Sequence, residues 1–162
     1  MSTRESYMKW KIKAVKGKKT ASATSAAADR PRAYIPGAAE EQNDIVLIRT
    51  GFAYPQIRVI QHAYQLPDRT FAHLIGISDK TLARIKTSNA KLSSLSGDRL
   101  YRLKKIWALA TKVLENPENA LAWLNHAQPG LNHQAPLDIL DTEPGYEQVQ
   151  TLLNQLEFGV LP

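Results

Sequence analysis

Apolar positions in this chain recur three and four residues apart far more often than they alternate, and the breaks between them fall at proline, glycine or small polar residues. Ile57, Ile60, Ala63 and Tyr64 follow Pro55 at helical spacing, and Pro67 closes the segment. That pattern predicts an amphipathic helix whose first turn tolerates the missing proline N–H. Asp44 to Leu66 as a whole reads as helical, punctuated at Gly51, although Ile45–Ile48 taken alone also fits a short strand, because four apolar residues do not fix a period. Further on, Leu100, Leu103, Ile106 or Trp107, Ala110 and Leu114 mark one side of a long helix, with Ser96 as its expected cap. Asn116-Pro117 reads as a stop and restart, followed by Leu121, Trp123 and Leu124. Pro129-Gly130 predicts a turn, and Pro136 to Leu140 a short helical element. Thr142 is the expected cap of a last helix carrying Tyr146, Val149, Leu152, Leu153 and Leu156, ended by Gly159. The fold class is mainly α.

The densest local pattern lies between Asp68 and Thr87. A helix-turn-helix needs a small residue in its first helix, because the second crosses close above it. It also needs glycine or its equivalent at the turn, and apolar residues on both inward faces. Ala72 is the small residue, Gly76 the turn, and Phe71, Ile75, Ile77, Leu82 and Ile85 the inward set. Ser78 is placed to cap the second helix. Two ordinary packed helices bending at Gly76 are the plainer alternative.

If Leu82 and Ile85 face inward, the outward direction of the second helix follows at about 100° per residue. With Leu82 at 0°, outward is about 150°, and Lys80, Thr87 and Arg84 fall at about 160°, 140° and 200°. With Ser78, Asp79 and Thr81 at the N-terminal end, these are the residues expected in a DNA major groove. An arginine there bonds guanine in bidentate fashion, and a lysine reaches base or phosphate.

Charge sharpens this picture. The net charge of +6 conceals blocks: residues 1–32 carry +7, residues 33–48 carry −3, residues 49–112 carry +9, and residues 113–162 hold seven acids and no Lys or Arg. Such a division suggests separate partners for the basic and the acidic part. Residues 1–43, rich in Lys, Ala and Ser, have too few apolar residues to offset ordering. They read as a solvated basic arm, with contact to DNA or an anionic membrane surface, or a transit peptide, as alternatives. No apolar run approaches the ~20 residues that span a bilayer, and no secretory signal is expected, which points to a soluble intracellular protein. The absence of cysteine excludes disulfides, thiolate zinc sites and thiol catalysis.

An enzyme needs a constellation, and none assembles. His62, His73, His126 and His133 lack metal-ligand spacing, and the scattered glycines form no phosphate-cradling loop. A grouping of His126, His133, Asp138 and Asp141 reads better as loop and helix-end surface. No catalytic, cofactor or metal residue is assigned.

From about Phe52 onward the chain resembles the Xre–MbcA–ParS antitoxins, specifically the Xre partners of RES-type toxins. The residues that carry the resemblance are Phe71-Ala72-His73-Leu74-Ile75-Gly76-Ile77-Ser78 with Thr81-Leu82. Leu95-Ser96-Gly97-Asp98-Arg99-Leu100 and Ala122-Trp123-Leu124 follow, and then Pro136-Leu137-Asp138-Ile139-Leu140-Asp141-Thr142-Glu143, Gly145 and Glu157-Phe158-Gly159-Val160. It departs where relatives often have a double glycine (here Asn132-His133) and a second acid (here Pro144). The resemblance implies a bacterial, cytoplasmic type II toxin–antitoxin module. In it this protein neutralises an NAD+-depleting RES toxin by binding it and, as a homodimer, represses its own operon at an inverted repeat. The expected organisation is an arm (1–43), a helix-turn-helix DNA-binding domain (44–92) and a small helical toxin-binding domain (93–162).

An NAD pocket holds cationic groups for the pyrophosphate. The acidic half, with its apolar tail and carboxylate, suits such a pocket. Glu157, Phe158, Gly159, Val160, Leu161 and Pro162 are therefore expected to enter it and block NAD. Asp138, Asp141 and Trp123 are placed in or near the docking surface, although core packing between helices is the preferred reading for Trp123, and Asp141 equally fits support of the last helix. A stand-alone regulator and a ParS-like localisation scaffold are the competing functions.

Overall fold

The computed structural model describes residues 38–88 and 90–159. Residues 1–37, most of the predicted arm, and the tail residues 160–162 lie outside them. Eight α-helices follow one another among the described residues: α1 (Ala38–Thr50), α2 (Tyr54–Tyr64), α3 (Asp68–Leu74), α4 (Asp79–Ser88), α5 (Ser94–Val113), α6 (Pro117–Asn125), α7 (Pro136–Ile139) and α8 (Glu143–Phe158). A single 3-10 turn, Pro129–Leu131, precedes α7.

Ile45–Ile48 is helical, because α1 runs through it and starts at Ala38, inside the segment read as arm. The helix is anchored by a charge. Asp44 is 3% exposed, and Lys104 Nζ on α5 lies 2.6 Å from its Oδ1. Gly51, at φ +86°, ends α1 and turns the chain under the Leu92 carbonyl, so close that no Cβ fits. α2 stops at Tyr64 because Gln65 takes a left-handed conformation, φ 52°. Pro67 instead becomes the N-cap residue of α3.

α5 is the axis of the molecule. It packs against α1, α2, α6 and α8, and its Leu100, Leu103, Ile106 and Ala110 are buried. Ile106 takes the fully buried position, while Trp107 is half-buried against the Tyr64 ring, centroids 5.3 Å apart. The buried Tyr64 hydroxyl donates to the Leu103 carbonyl at 2.9 Å, and burial pushes its pKa upward. The cap of α5 is Ser93, whose hydroxyl accepts the Ser96 N–H at 3.4 Å; Ser96, the expected cap, is itself inside the helix and buried. At the Asn116-Pro117 restart Asn116 caps α6, accepting from the Asn119 N–H at 2.7 Å. Among the described residues no helix is long and apolar enough to cross a membrane.

Candidate functional site

The first candidate surface is built by α3 and α4. Phe71, Ala72, Ile75, Leu82 and Ile85 are all buried, with Ile77 half-buried at the turn. The Ile77 N–H donates to the Ala72 carbonyl at 2.9 Å, and Gly76 turns the chain at φ +68°. A side chain at Gly76 would be strained by ~1–2 kcal/mol, and its Cβ would overlap the Arg99 guanidinium of α5. Ser78 caps α4, accepting the Thr81 N–H at 3.1 Å. Its Oγ also lies 2.9 Å from Thr81 Oγ1, so both hydroxyls are engaged in the cap. Lys80, Arg84 and Thr87 are exposed on the face opposite Leu82 and Ile85, Asp79 is exposed at the N-terminal end of the helix, and Thr81 is half-buried. Lys80 and Arg84 form no ion pair among the described residues.

Lys86, two residues after Arg84, is held differently. Its Nζ lies 2.5 Å from Asp68 Oδ2 and 5.8 Å from the centre of the Tyr54 ring. Gln61 Nε2 donates to the other Asp68 oxygen at 2.8 Å and to the Leu66 carbonyl at 3.1 Å. Hydrogen bonds from Lys86 and Gln61 hold the Asp68 carboxyl below its ordinary pKa. The bond to Asp68 in turn raises that of the Lys86 ammonium.

The second surface belongs to the acidic half. The Thr142 hydroxyl accepts the Gly145 N–H at 3.1 Å and donates to the Ile139 carbonyl at 3.1 Å, which starts α8 directly from the end of α7. Gly145 sits so close that a Cβ would overlap the Ile139 carbonyl. Arg102 on α5 bonds Asp98 on its own helix, Nε to Oδ2 at 3.0 Å, and pairs with Glu143 in the first turn of α8. At the far end of α8, Lys112 Nζ lies 2.6 Å from Glu157 Oε1. Phe158 is 76% exposed, and Gly159 ends the helix at φ 68°. The loop before α7 is closed by Gln128 N–H donating to the Gln134 carbonyl at 3.0 Å, with Asn132 at φ 52° and His133 at φ 61°.

Two family profiles match this chain. One, the antitoxin Xre-like helix-turn-helix domain, covers residues 45–103; the other, the antitoxin Xre/MbcA/ParS C-terminal toxin-binding domain, covers residues 109–159. The chain belongs to this antitoxin family. It is also 26% identical over 114 residues, 70% of this chain and 77% of the relative, to the antitoxin Xre of Yersinia enterocolitica. The protein is thus an Xre-family antitoxin with a helix-turn-helix followed by a toxin-binding C-terminal domain.

Within the antitoxin the residues singled out from the sequence are not equivalent. Lys80, Arg84 and Thr87 share one exposed face of α4, and Asp79 stands at its start beside the cap residues Ser78 and Thr81. Trp123 takes the core-packing reading and drops out of the expected docking surface: at 1% exposure it is core, packed from α6. Asp138 is exposed and Asp141 half-buried beside the α7–α8 junction, well separated in sequence from Glu157, Phe158 and Gly159 at the end of α8. Val160, Leu161 and Pro162 lie outside the described residues. The Asn132-His133 departure has a physical reading, since both residues occupy the left-handed region that favours glycine. Pro144 falls in the first turn of α8, where its missing N–H costs nothing. Sequence reasoning missed the Lys86–Asp68–Gln61 brace and the Asp44–Lys104 pair. No short-range signal marks either, because their partners are 18 and 60 residues apart.

Proposed function

We propose that this antitoxin neutralises a RES-type, NAD+-depleting toxin by placing its chain from Glu157 through Pro162 against the toxin's dinucleotide pocket. In the same reading it acts in the bacterial cytoplasm without catalysis of its own. As a homodimer it represses its operon at an inverted repeat. Residues 44–92 serve DNA, with Lys80, Arg84 and Thr87 reading the groove and Ser78, Asp79 and Thr81 at its edge. Residues 93–162 serve the toxin, with Asp138 and Asp141 flanking the contact, and the residues before α1 act as a basic arm.

The observation that carries this reading is the end of α8. No Lys or Arg follows Lys112, so the surface offered is acidic, and at its tip a large aromatic, Phe158, stands 76% exposed beside a helix-ending glycine. A pocket built for a pyrophosphate attracts such a surface. Glu157 exchanges its Lys112 partner for a toxin cation on docking. The test is co-purification with the product of the neighbouring gene, then an NAD+ depletion assay with and without the antitoxin. Full-length protein is expected to stop depletion, and the Phe158–Pro162 deletion to bind less tightly and fail to stop it. Full neutralisation by the deletion variant sinks tail occlusion. An adjacent product that neither binds nor consumes NAD+ favours a stand-alone regulator or scaffold.

A further inference from the structure

The recognition-helix cations divide into two groups by what already holds them. On the arithmetic of a regular helix, Lys86 lies about 110° from the outward direction of α4, whereas Lys80 and Thr87 lie within about 10° and Arg84 within about 50°. Lys86 accordingly leans sideways. Its ammonium is bonded to Asp68 at 2.5 Å and sits 5.8 Å from the Tyr54 ring centre, and its side chain is 27% exposed.

Asp68 is the first residue of α3, where a carboxylate also complements the positive end of the helix. It is held from the other side by Gln61 of α2. One carboxylate therefore joins the three helices α2, α3 and α4 on the side of α4 away from Lys80. The turn at Gly76 fixes where α4 begins, and this brace fixes its second half, past Ile85. Leu82 and Ile85 seat α4 in the core, but beyond Ile85 the brace is what ties its last turn to α2 and α3, and a tilt about Gly76 moves Arg84 and Thr87 further than Lys80.

We propose that Lys86 and Asp68 are positioning residues for DNA reading: Lys86, though basic and on the recognition helix, contacts no phosphate and instead sets the angle at which Arg84 meets the groove. This rests on α4 being the DNA-reading helix, and the experiment separates the two ideas. A cation that neutralises a phosphate contributes about 0.9 to the slope of log affinity against log salt, and one that does not contributes nothing.

The probes are a short duplex that the full-length protein selects from a randomised pool and a scrambled duplex of the same composition, titrated by fluorescence anisotropy at several salt concentrations. Lys86→Gln and Asp68→Asn are each expected to weaken binding to the selected duplex about fivefold, the upper range for an exposed pair. Binding to the scrambled duplex and the salt slope should stay unchanged, and the double variant should be no worse than either single one. Lys86→Arg and Asp68→Glu retain the bond and rescue affinity. Arg84→Gln and Lys80→Gln are the contrast: the first is expected to relax the preference for the selected duplex, and the second to lower the slope.

Thermal melts of the variants distinguish a tilt from unfolding, since loss of folded protein weakens both duplexes alike. A slope lowered by Lys86→Gln, tighter binding by Asp68→Asn, equal weakening on both duplexes, or unchanged affinity overturns the proposal. Selection of no duplex by the unaltered protein overturns the DNA reading itself.

Discussion

Three glycines take or need backbone space for different reasons, and the difference is measurable. Gly76 and Gly159 both sit near φ +68°, but only Gly76 has a neighbour, the Arg99 guanidinium, in the way of a Cβ. Gly145 has helical backbone and an obstruction instead, the Ile139 carbonyl, which is main chain and cannot swing aside. Gly145→Ala is expected to destabilise by about 1–3 kcal/mol through overpacking, Gly76→Ala by about 1–2 kcal/mol through strain, and Gly159→Ala by less, since the end of α8 is free to unwind a turn. Thermal melts of the three variants check the order; a Gly159→Ala change larger than that of Gly145→Ala contradicts it.

Asp68 gives a second residue-scale expectation. Lys86 and Gln61 lower its pKa in the folded chain. Its contribution is therefore fully present above the unfolded carboxylate value near ~3.9 and is lost as the pH falls through the lower folded value. A carboxyl titration by NMR should show Asp68 below the ordinary aspartate value and returning upward in Lys86→Gln. A midpoint unmoved by that substitution contradicts the bond.

At the scale of elements, helix starts repeat one device with different strength. Thr142 both accepts and donates, at 3.1 Å each way, whereas Ser93 reaches its N–H only at 3.4 Å. Thr142→Ala should cost about 1 kcal/mol and Ser93→Ala about 0.5 kcal/mol, the middle and low end for N-caps, as read by chemical denaturation. A larger loss at Ser93 reverses the assignment.

Elements of this kind were also the most legible part of the sequence. The helix-turn-helix rests on residues within 20 positions of one another, and Ala72, Gly76 and the cap Ser78 therefore speak for themselves. Ser96 misled because three serines compete within four positions, and only packing shows that Ser96 is turned inward. Ile45–Ile48 is ambiguous in sequence because four apolar residues fix no period, and the Asp44–Lys104 pair that ties α1 to α5 joins residues 60 apart. Trp123 carried the same ambiguity: an aromatic at helical spacing fits core and interface equally until its neighbours are known. The brace at Lys86 was invisible for the reason that long-range pairs are, since nothing near Asp68 announces its partner.

For the whole molecule the decisive arrangement is that α5 serves both halves. The helix-turn-helix profile ends at residue 103 and the toxin-binding profile begins at residue 109, both inside α5, and that helix packs on α1 and α2 as well as on α6 and α8. The antitoxin is therefore expected to unfold in one cooperative step, with calorimetric and van't Hoff enthalpies equal. Two resolved transitions would show instead that the halves are independent. A fragment ending at residue 92 lacks the buried row Leu100, Leu103 and Ile106 and should not fold cooperatively. The same helix carries Arg99 against the Gly76 turn and, one turn on, Arg102 against Glu143. α5 is 20 residues long, so as a rigid rod it spans about 30 Å. A tilt of about 5° at one end becomes a displacement of about 2.6 Å at the other, close to the length of a hydrogen bond. Leverage of that size makes the fit of either partner sensitive to angles set by the other.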